Sequence, residues 1–519
     1  MLDRIRDRAS ADPDALALSD DSAALTWQTV ATSLERLTGA LRAVAPSPDD
    51  RIAIVGENRV ETLLAHVAAI GAGIGAVAVS RQLTAREMAD QFADAGCAAV
   101  ITGPAGFEAA AGAAATGSLT TVITHSIDDP VRLPAAVAHL EWQNLVATPV
   151  DPPTDLSERP ARPPLVYTSG TTGRARGTEV RWLPGPAPDA AAFQTAVAAR
   201  SGYPAGPHLV VGPLQHNGPL TSIRHLLSGE PVVILGRFDA ERILDLIGTH
   251  RVASTLMVPT HFQRLLALPS ETRSSYDVGS LRYVAHTGSA CPAEVKRAMI
   301  DWFGPVLIES YGGSEIGTVC KIDSHEWLAH PSSVGRVIDP FEVVVVGSDG
   351  EVLGPGETGV LGFRTPAGRE ITYHGDPEKT ARAYILPGVA TLGDVGHVDE
   401  DGFVYITDRV ADMVVSGGVN LYPAESEQVL RGHPDVTEVA VIGVPDADLG
   451  EALLALVVPT AGTEPDVEAI RTFARESMAS YKCPKHYVVV HDLARNAMGK
   501  LDKKALRRPY WDSDRTITG

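Results

Sequence analysis

The chain has 519 residues, with 44 Lys and Arg against 64 Asp and Glu, a formal net charge of −20. That length allows about three or four folding units, and a composition of 44% hydrophobic and 21% charged residues excludes general disorder. An acidic balance of this size disfavours wrapping nucleic acid or adhering to an anionic membrane, since both need a basic surface. A local basic pocket for a polyanion remains compatible with it.

The start, Met1-Leu2-Asp3-Arg4-Ile5-Arg6, places charges where a signal peptide needs its apolar core. Ile52–Val55 and Ala98–Ile101 read as strands, with a helix from Arg86 to Ala95 between them. The long uncharged run from Thr62 to Ser80 contains His66, Gly71, Gly73 and Gly75, so it inserts poorly in lipid and reads as a buried helix passing into a buried strand. Residues 105–117 fit either a helix or a loose loop, and the five prolines of 151–164 demand irregular structure. Residues 183–207 have a helical middle between Pro/Gly-rich ends. Val210–Val211, Val232–Leu235 and Ser254–Val258 read as strands, with a helix at Ala240–Gly248. From about Phe341 the pattern changes to strands separated by turns, and after about Arg409 a block of roughly 110 residues has strands at Glu438–Val444 and Leu454–Val458 and a helix at Val467–Ala479. The expected fold class is therefore α/β, a large N-terminal domain of layered sheets and helices with a small C-terminal α+β domain. Cys97, Cys291, Cys320 and Cys483 have neither metal-ligand nor redox spacing, and a soluble cytoplasmic protein is expected.

The most informative segment is Leu165-Val166-Tyr167-Thr168-Ser169-Gly170-Thr171-Thr172-Gly173-Arg174-Ala175-Arg176-Gly177. An apolar strand runs into a loop of small hydroxylated residues and glycine, which can turn successive N–H groups and hydroxyls toward one anion. The spacing is not that of a Walker loop. In this order of residues the segment resembles the phosphate loop of the adenylate-forming superfamily, which includes acyl-CoA synthetases, luciferases and the adenylation domains of peptide synthetases.

That resemblance recurs along the chain in the family's order, over about residues 20 to 508. Glu309-Ser310-Tyr311-Gly312-Gly313-Ser314-Glu315 is similar to the nucleotide motif, which implies that Tyr311 stacks on adenine, a hydroxyl meets the α-phosphate and Glu315 helps hold Mg²⁺. Gly393-Asp394-Val395-Gly396 with Thr407-Asp408-Arg409 resembles the next signature, implying Asp394 on the ribose hydroxyls and Arg409 on ribose or phosphate, whereas Asp399–Gly402 reads as a turn. Ser416-Gly417-Gly418 resembles the glycine loop that lines a pantetheine tunnel. Arg495-Asn496-Ala497-Met498-Gly499-Lys500 matches the catalytic-lysine motif, where Lys500 neutralises charge building between carboxylate and phosphate. Thr168 joins Lys500, Glu315 and His216 as expected catalytic residues. The expected ATP contacts run from Thr168 through Ser169, Gly170, Thr171, Thr172 and Gly173 to Arg176, and include Gly288, Ser289 and Ala290 in the loop Ala285–Ala290. Three departures stand out: Ala175-Arg176-Gly177 replaces the usual Pro-Lys-Gly, Ala411 replaces Asp or Lys at the hinge, and Ala494 stands where Pro is common.

The resemblance implies an N-terminal domain over 1–408, a hinge at 409–412 and a mobile C-terminal domain over 413–519. It also implies a two-step reaction: a carboxylate attacks the α-phosphate of MgATP, then a thiol, usually that of CoA, displaces AMP. Pro213-Leu214-Gln215-His216-Asn217-Gly218 lacks the acid that pairs with an amino-acid ammonium, so α-amino acids are disfavoured. His216 and Asn217 are expected at the acyl pocket with Gly288, whose missing side chain admits substrate close to the backbone. The rival acceptor is a carrier protein or an amine, as in natural-product relatives, some of which activate nitrite to form diazo groups. No carrier attachment motif follows Lys500, so a carrier would be a separate protein, and a homodimer is compatible with the sequence. A catalytically silent nucleotide sensor is disfavoured by the retention of Glu315, Asp394 and Lys500.

Overall fold

The uncharged run folds as the buried helix Val60–Gly71 followed by the buried strand Gly75–Ser80. A helix that is apolar all round must be covered on every side. In the computed structural model it packs in one core with Ile52 and Ile54 of one sheet and Val210, Val232 and Ile234 of another, so a helical layer separates two sheets. The structure describes residues 2–511 except 118, 128–130, 169–175, 184, 200, 201, 289, 290, 348, 374, 375, 410–413, 422, 461, 462, 464 and 495–502. Among the described residues no helix is long and apolar enough to cross a membrane.

The first sheet has seven strands, five of them parallel and central: Thr121–Thr124, Cys97–Thr102, Arg51–Gly56, Gly75–Ser80 and Leu165–Thr168. Continuous β-branched and alanine runs suit strands covered on both faces. The helix Ala85–Ala95 starts at a Thr84–Glu87 capping box and stops at Gly96 in the left-handed region, as a helix with both boundary signals should. Residues 107–114 resolve as a helix, and 151–164 are irregular apart from one turn at Leu156–Glu158.

The second sheet has a parallel half, Val232–Ile234, His208–Val210, Ser254–Met257, Tyr283–His286 and Leu307–Gly313. It continues into an antiparallel half that ends with Phe403–Arg409, where Asp399–Gly402 forms the expected turn. The third sheet is separate. Val414–Ser416, Val419–Leu421, Val436–Asp446, Gly450–Pro459 and His486–Val489 build it, and the helices Pro423–Leu430 and Val467–Ser477 cover it. Its two long strands extend beyond the apolar runs that mark them in sequence, because the antiparallel ladder continues to the Asp446–Gly450 pair.

Candidate active site

A cleft of about 810 Å³ opens at the C-terminal ends of the parallel strands of the second sheet, where open α/β sheets place their ligands. One wall is the strand Tyr283–His286 and the loop after it. Tyr283, Ala285 and Thr287 face the cleft, while Val284 and His286 lie in the core behind, the two-residue alternation of a strand. Gly288 ends this wall with φ of +91°, a conformation that L side chains rarely adopt.

The strand Leu307–Gly313 carries the nucleotide motif and pairs with Gly317–Asp323. A Cβ on Gly312 would run into the Gly317 carbonyl, so this turn requires glycine. Ser310, Gly312, Gly313, Ser314 and Glu315 line the cleft. Behind them Glu309 is buried in an ion pair with Lys296. Burial drives the Glu309 carboxyl upward and the Lys296 ammonium opposes it. His286, 3.7 Å from Glu309, is held neutral by burial and by Lys296. The Thr287 hydroxyl donates to the Ser310 carbonyl at 2.6 Å, locking the two cleft walls together.

Tyr311 donates its hydroxyl to Asp394 at 2.6 Å, joining two motifs 83 residues apart. Asp394 is 2% exposed and sits opposite Arg409 in the strand pairing, so backbone register alone places both at one end of the sheet. Glu315 accepts a hydrogen bond from the Tyr373 hydroxyl at 3.2 Å on one carboxylate oxygen. Its other oxygen makes no hydrogen bond among the described residues.

His216 immediately precedes the short helix Asn217–Leu220, and burial pushes its imidazole down to about 4, so it is neutral at ordinary pH. Asn217 accepts from the Trp182 indole at 2.9 Å. Both residues line the cleft. The glycine loop arrives from the third sheet: Val414–Ser416 and Val419–Leu421 are joined by Gly417 and Gly418, with φ of +56° and +78°. A two-residue hairpin turn with both φ values positive is where paired glycines are favoured. Gly418 packs against Val258, and its carbonyl lies 3.6 Å from the Cβ position of Gly288.

The cleft thus brings together His216, Asn217, Gly288, Ser310, Gly312, Gly313, Ser314, Glu315, Asp394, Gly417 and Gly418. Thr168 and Arg176 are paired in register at the facing ends of two antiparallel strands, so the expected phosphate loop closes a hairpin. Its residues 169–175, with Ser289, Ala290, Ala411 and Lys500, lie outside the described residues. Arg224, Tyr203, Tyr373 and Trp182 were not foreseen from sequence, where Arg224 is one charge in the polar and apolar mixture Ser222–Leu227. Among the described residues eight arginines and lysines line the cleft against two carboxylates, Glu315 and Asp394. A protein of net charge −20 therefore concentrates positive charge in a concavity suited to a polyanion.

Residues 5–369 match the family described as AMP-binding enzyme, and residues 425–500 match its C-terminal domain. The chain is 32% identical over 511 residues to a feruloyl-CoA synthase of Amycolatopsis sp, covering 97% of both chains. It is 34% identical over 398 residues to the medium/long-chain-fatty-acid–CoA ligase FadD8 of Mycobacterium tuberculosis, covering 74% of this chain and 66% of that one. Among solved structures it resembles the amide bond synthetase McbA of Marinactinospora thermotolerans, with 26% identity, 98% and 99% coverage and a TM-score of 0.80.

Proposed function

The chain belongs to the AMP-binding enzyme family, and on that premise we propose how its residues carry out an acyl-CoA ligase reaction. A carboxylate oxygen attacks the α-phosphorus of ATP and pyrophosphate leaves. The thiol of CoA then attacks the acyl carbonyl, and AMP leaves with the former carboxylate oxygen. The observation that carries this reading is the meeting, in one cationic cleft, of Glu315 and Asp394 with a glycine turn from a different sheet.

Tyr311 covers the adenine and Asp394 accepts the ribose hydroxyls, a pairing supported by the bond that fixes one to the other. The loop between Thr168 and Arg176, with the loop at 288–290, is assigned to the phosphates, and Arg409, opposite Asp394 in the strand pairing, to the ribose or phosphate. Glu315, with one oxygen held by Tyr373, would hold a Mg²⁺ ion through the other. When bound, that ion neutralises phosphate charge. His216 borders the acyl pocket as a neutral imidazole, and Asn217, held by Trp182, lines the same pocket.

The second sheet ends at Arg409 and the third begins at Val414. This supports domains over 1–408 and 413–519 with a hinge through Ala411. The orientation of the third sheet, with Gly417 and Gly418 at the cleft, suits delivery of the pantetheine thiol along that turn. A rotation of this domain about the hinge would deliver Lys500 for the first step. All four cysteines are free thiols, in keeping with a reducing cytoplasm.

The likeness to an amide bond synthetase favours one rival, transfer to an amine rather than to CoA. Acid-dependent pyrophosphate release by the wild type and by Lys500→Ala, with and without CoA, tests the reading. Lys500→Ala should lose roughly 10²–10³-fold in adenylation with ATP binding nearly unchanged. Equal loss of binding and rate would assign Lys500 a structural role instead.

A further inference from the structure

Below the wall residues Thr287 and Ala285 the cleft ends at Tyr283, Tyr203 and Arg224. Tyr203 and Tyr283 are tilted against each other with ring centroids 4.4 Å apart, and His225 meets Tyr203 edge-on at 4.7 Å. Neither tyrosine hydroxyl has a hydrogen-bond partner among the described residues, and burial keeps both phenols protonated. Arg224 donates from Nη1 to the Trp182 carbonyl at 3.1 Å, and its buried Nε has no partner. Among the described residues no carboxylate lies within 4 Å of its guanidinium. The two acids of the cleft, Glu315 and Asp394, belong to the nucleotide end.

Arg224 is half-buried, and a guanidinium with no carboxylate beside it is completed by an anion. Planar guanidinium groups are matched to carboxylates. The geometry points to an acid substrate that carries a second carboxylate at its far end, received by Arg224 with Tyr203 and Tyr283. This rests on the acid-activating reading above and names the substrate class for the same cleft. Tyr283 begins the strand and Thr287 follows its last residue, so the two lie four residues apart along one wall, a span of roughly 13 Å at about 3.3 Å per residue. The two carboxyl groups are therefore on the order of 10 Å apart.

The experiment is AMP formation by the full chain with ATP, Mg²⁺ and CoA, supplied with suberic, azelaic or sebacic acid or with the monomethyl ester of each. The ratio of kcat/KM for free diacid over monoester is internal to each protein, so a variant that folds in part cannot distort it. Wild type should prefer the diacid by about 10–100-fold, the range of a lost charged hydrogen bond. Arg224→Gln should bring the ratio near unity, and Arg224→Lys should restore part of it. A ratio near unity in the wild type, or a preference that survives Arg224→Gln, overturns the inference and leaves the ligase reading standing. AMP formation with none of these acids, nor with octanoate or ferulate, overturns the acid-activating reading and this inference with it.

Discussion

The ammonium of Lys482 lies 3.3 Å from the carboxylate of Glu87, an ion pair between residues 395 positions apart that fastens the third sheet's domain to the first. Lys482 is 5% exposed and also meets Glu425 of its own domain at 2.7 Å. A more exposed pair, Arg264 with Asp448 at 2.9 Å, joins the third sheet's domain to the part of the chain built on the second sheet. The two contacts differ in weight. Exposed pairs contribute at most about 1 kcal/mol, whereas a buried ammonium depends more on each carboxylate it faces, and without Glu87 Lys482 keeps, among the described residues, only Glu425.

Glu87→Gln should therefore slow transfer to CoA and spare adenylation. The amide keeps the oxygen that accepts from the Thr84 backbone at the helix cap, so the substitution removes the charge facing Lys482 and little else. Single-turnover formation of acyl-AMP followed by a CoA chase separates the steps. A loss of about tenfold or more is expected in the chase alone, against little change for Asp448→Ala. Equal slowing of both steps would mean that the pair supports folding rather than one orientation.

Tyr311→Phe removes the donor to Asp394 without shrinking the ring. A hydrogen bond to a charged group contributes about 1.5–3 kcal/mol, so the KM for ATP should rise by roughly 10–100-fold with kcat changed much less. Asp394→Ala should in addition abolish discrimination between ATP and 2′,3′-dideoxy-ATP. If the wild type does not distinguish these nucleotides, the ribose assignment fails.

Acid should destabilise the fold through its buried histidines. Burial holds His66 down to about 3 and His225 down to about 4, and His208 is held well below the ordinary value by burial and by the stacked His225. Above pH 6.5 these imidazoles are neutral folded or unfolded, and contribute no pH dependence. As pH falls below 6.5 the unfolded chain binds protons that the folded chain refuses. Stability then declines by up to about 1.4 kcal/mol per pH unit for each such histidine, until the folded imidazoles protonate too, that of His225 at about 4 and that of His66 at about 3. Urea midpoints should be level from pH 8 to 7 and drop between pH 6.5 and 4.5, with a shallower drop in His66→Leu. A midpoint that stays level to pH 4.5 would contradict this.

The motif segments were legible because their chemistry restricts residue type: glycine where a Cβ would collide, as at Gly312, and a carboxylate where the proposed reaction needs a partner for a diol or a cation, as at Asp394 and Glu315. The layered α/β class followed from uncharged runs such as Thr62–Ser80, which have no stable place except between layers. Arg224 was not legible as a site residue. What marks it is the lack of an acid around it in space, and sequence shows only its neighbours along the chain. The Tyr311–Asp394 bond and the Lys482–Glu87 pair were hidden for the same reason, since each joins segments that only the finished sheets bring together.

The most direct measurement of the central claim is the stoichiometry of ATP, pyrophosphate, AMP and thioester in a single turnover with a carboxylic acid, before and after CoA is added. The account predicts one pyrophosphate per acyl-adenylate formed without CoA, and AMP release matched one for one by acyl-CoA once the thiol is present. Pyrophosphate release that needs no acid, or an acyl-adenylate that CoA leaves untouched while an amine consumes it, would contradict it.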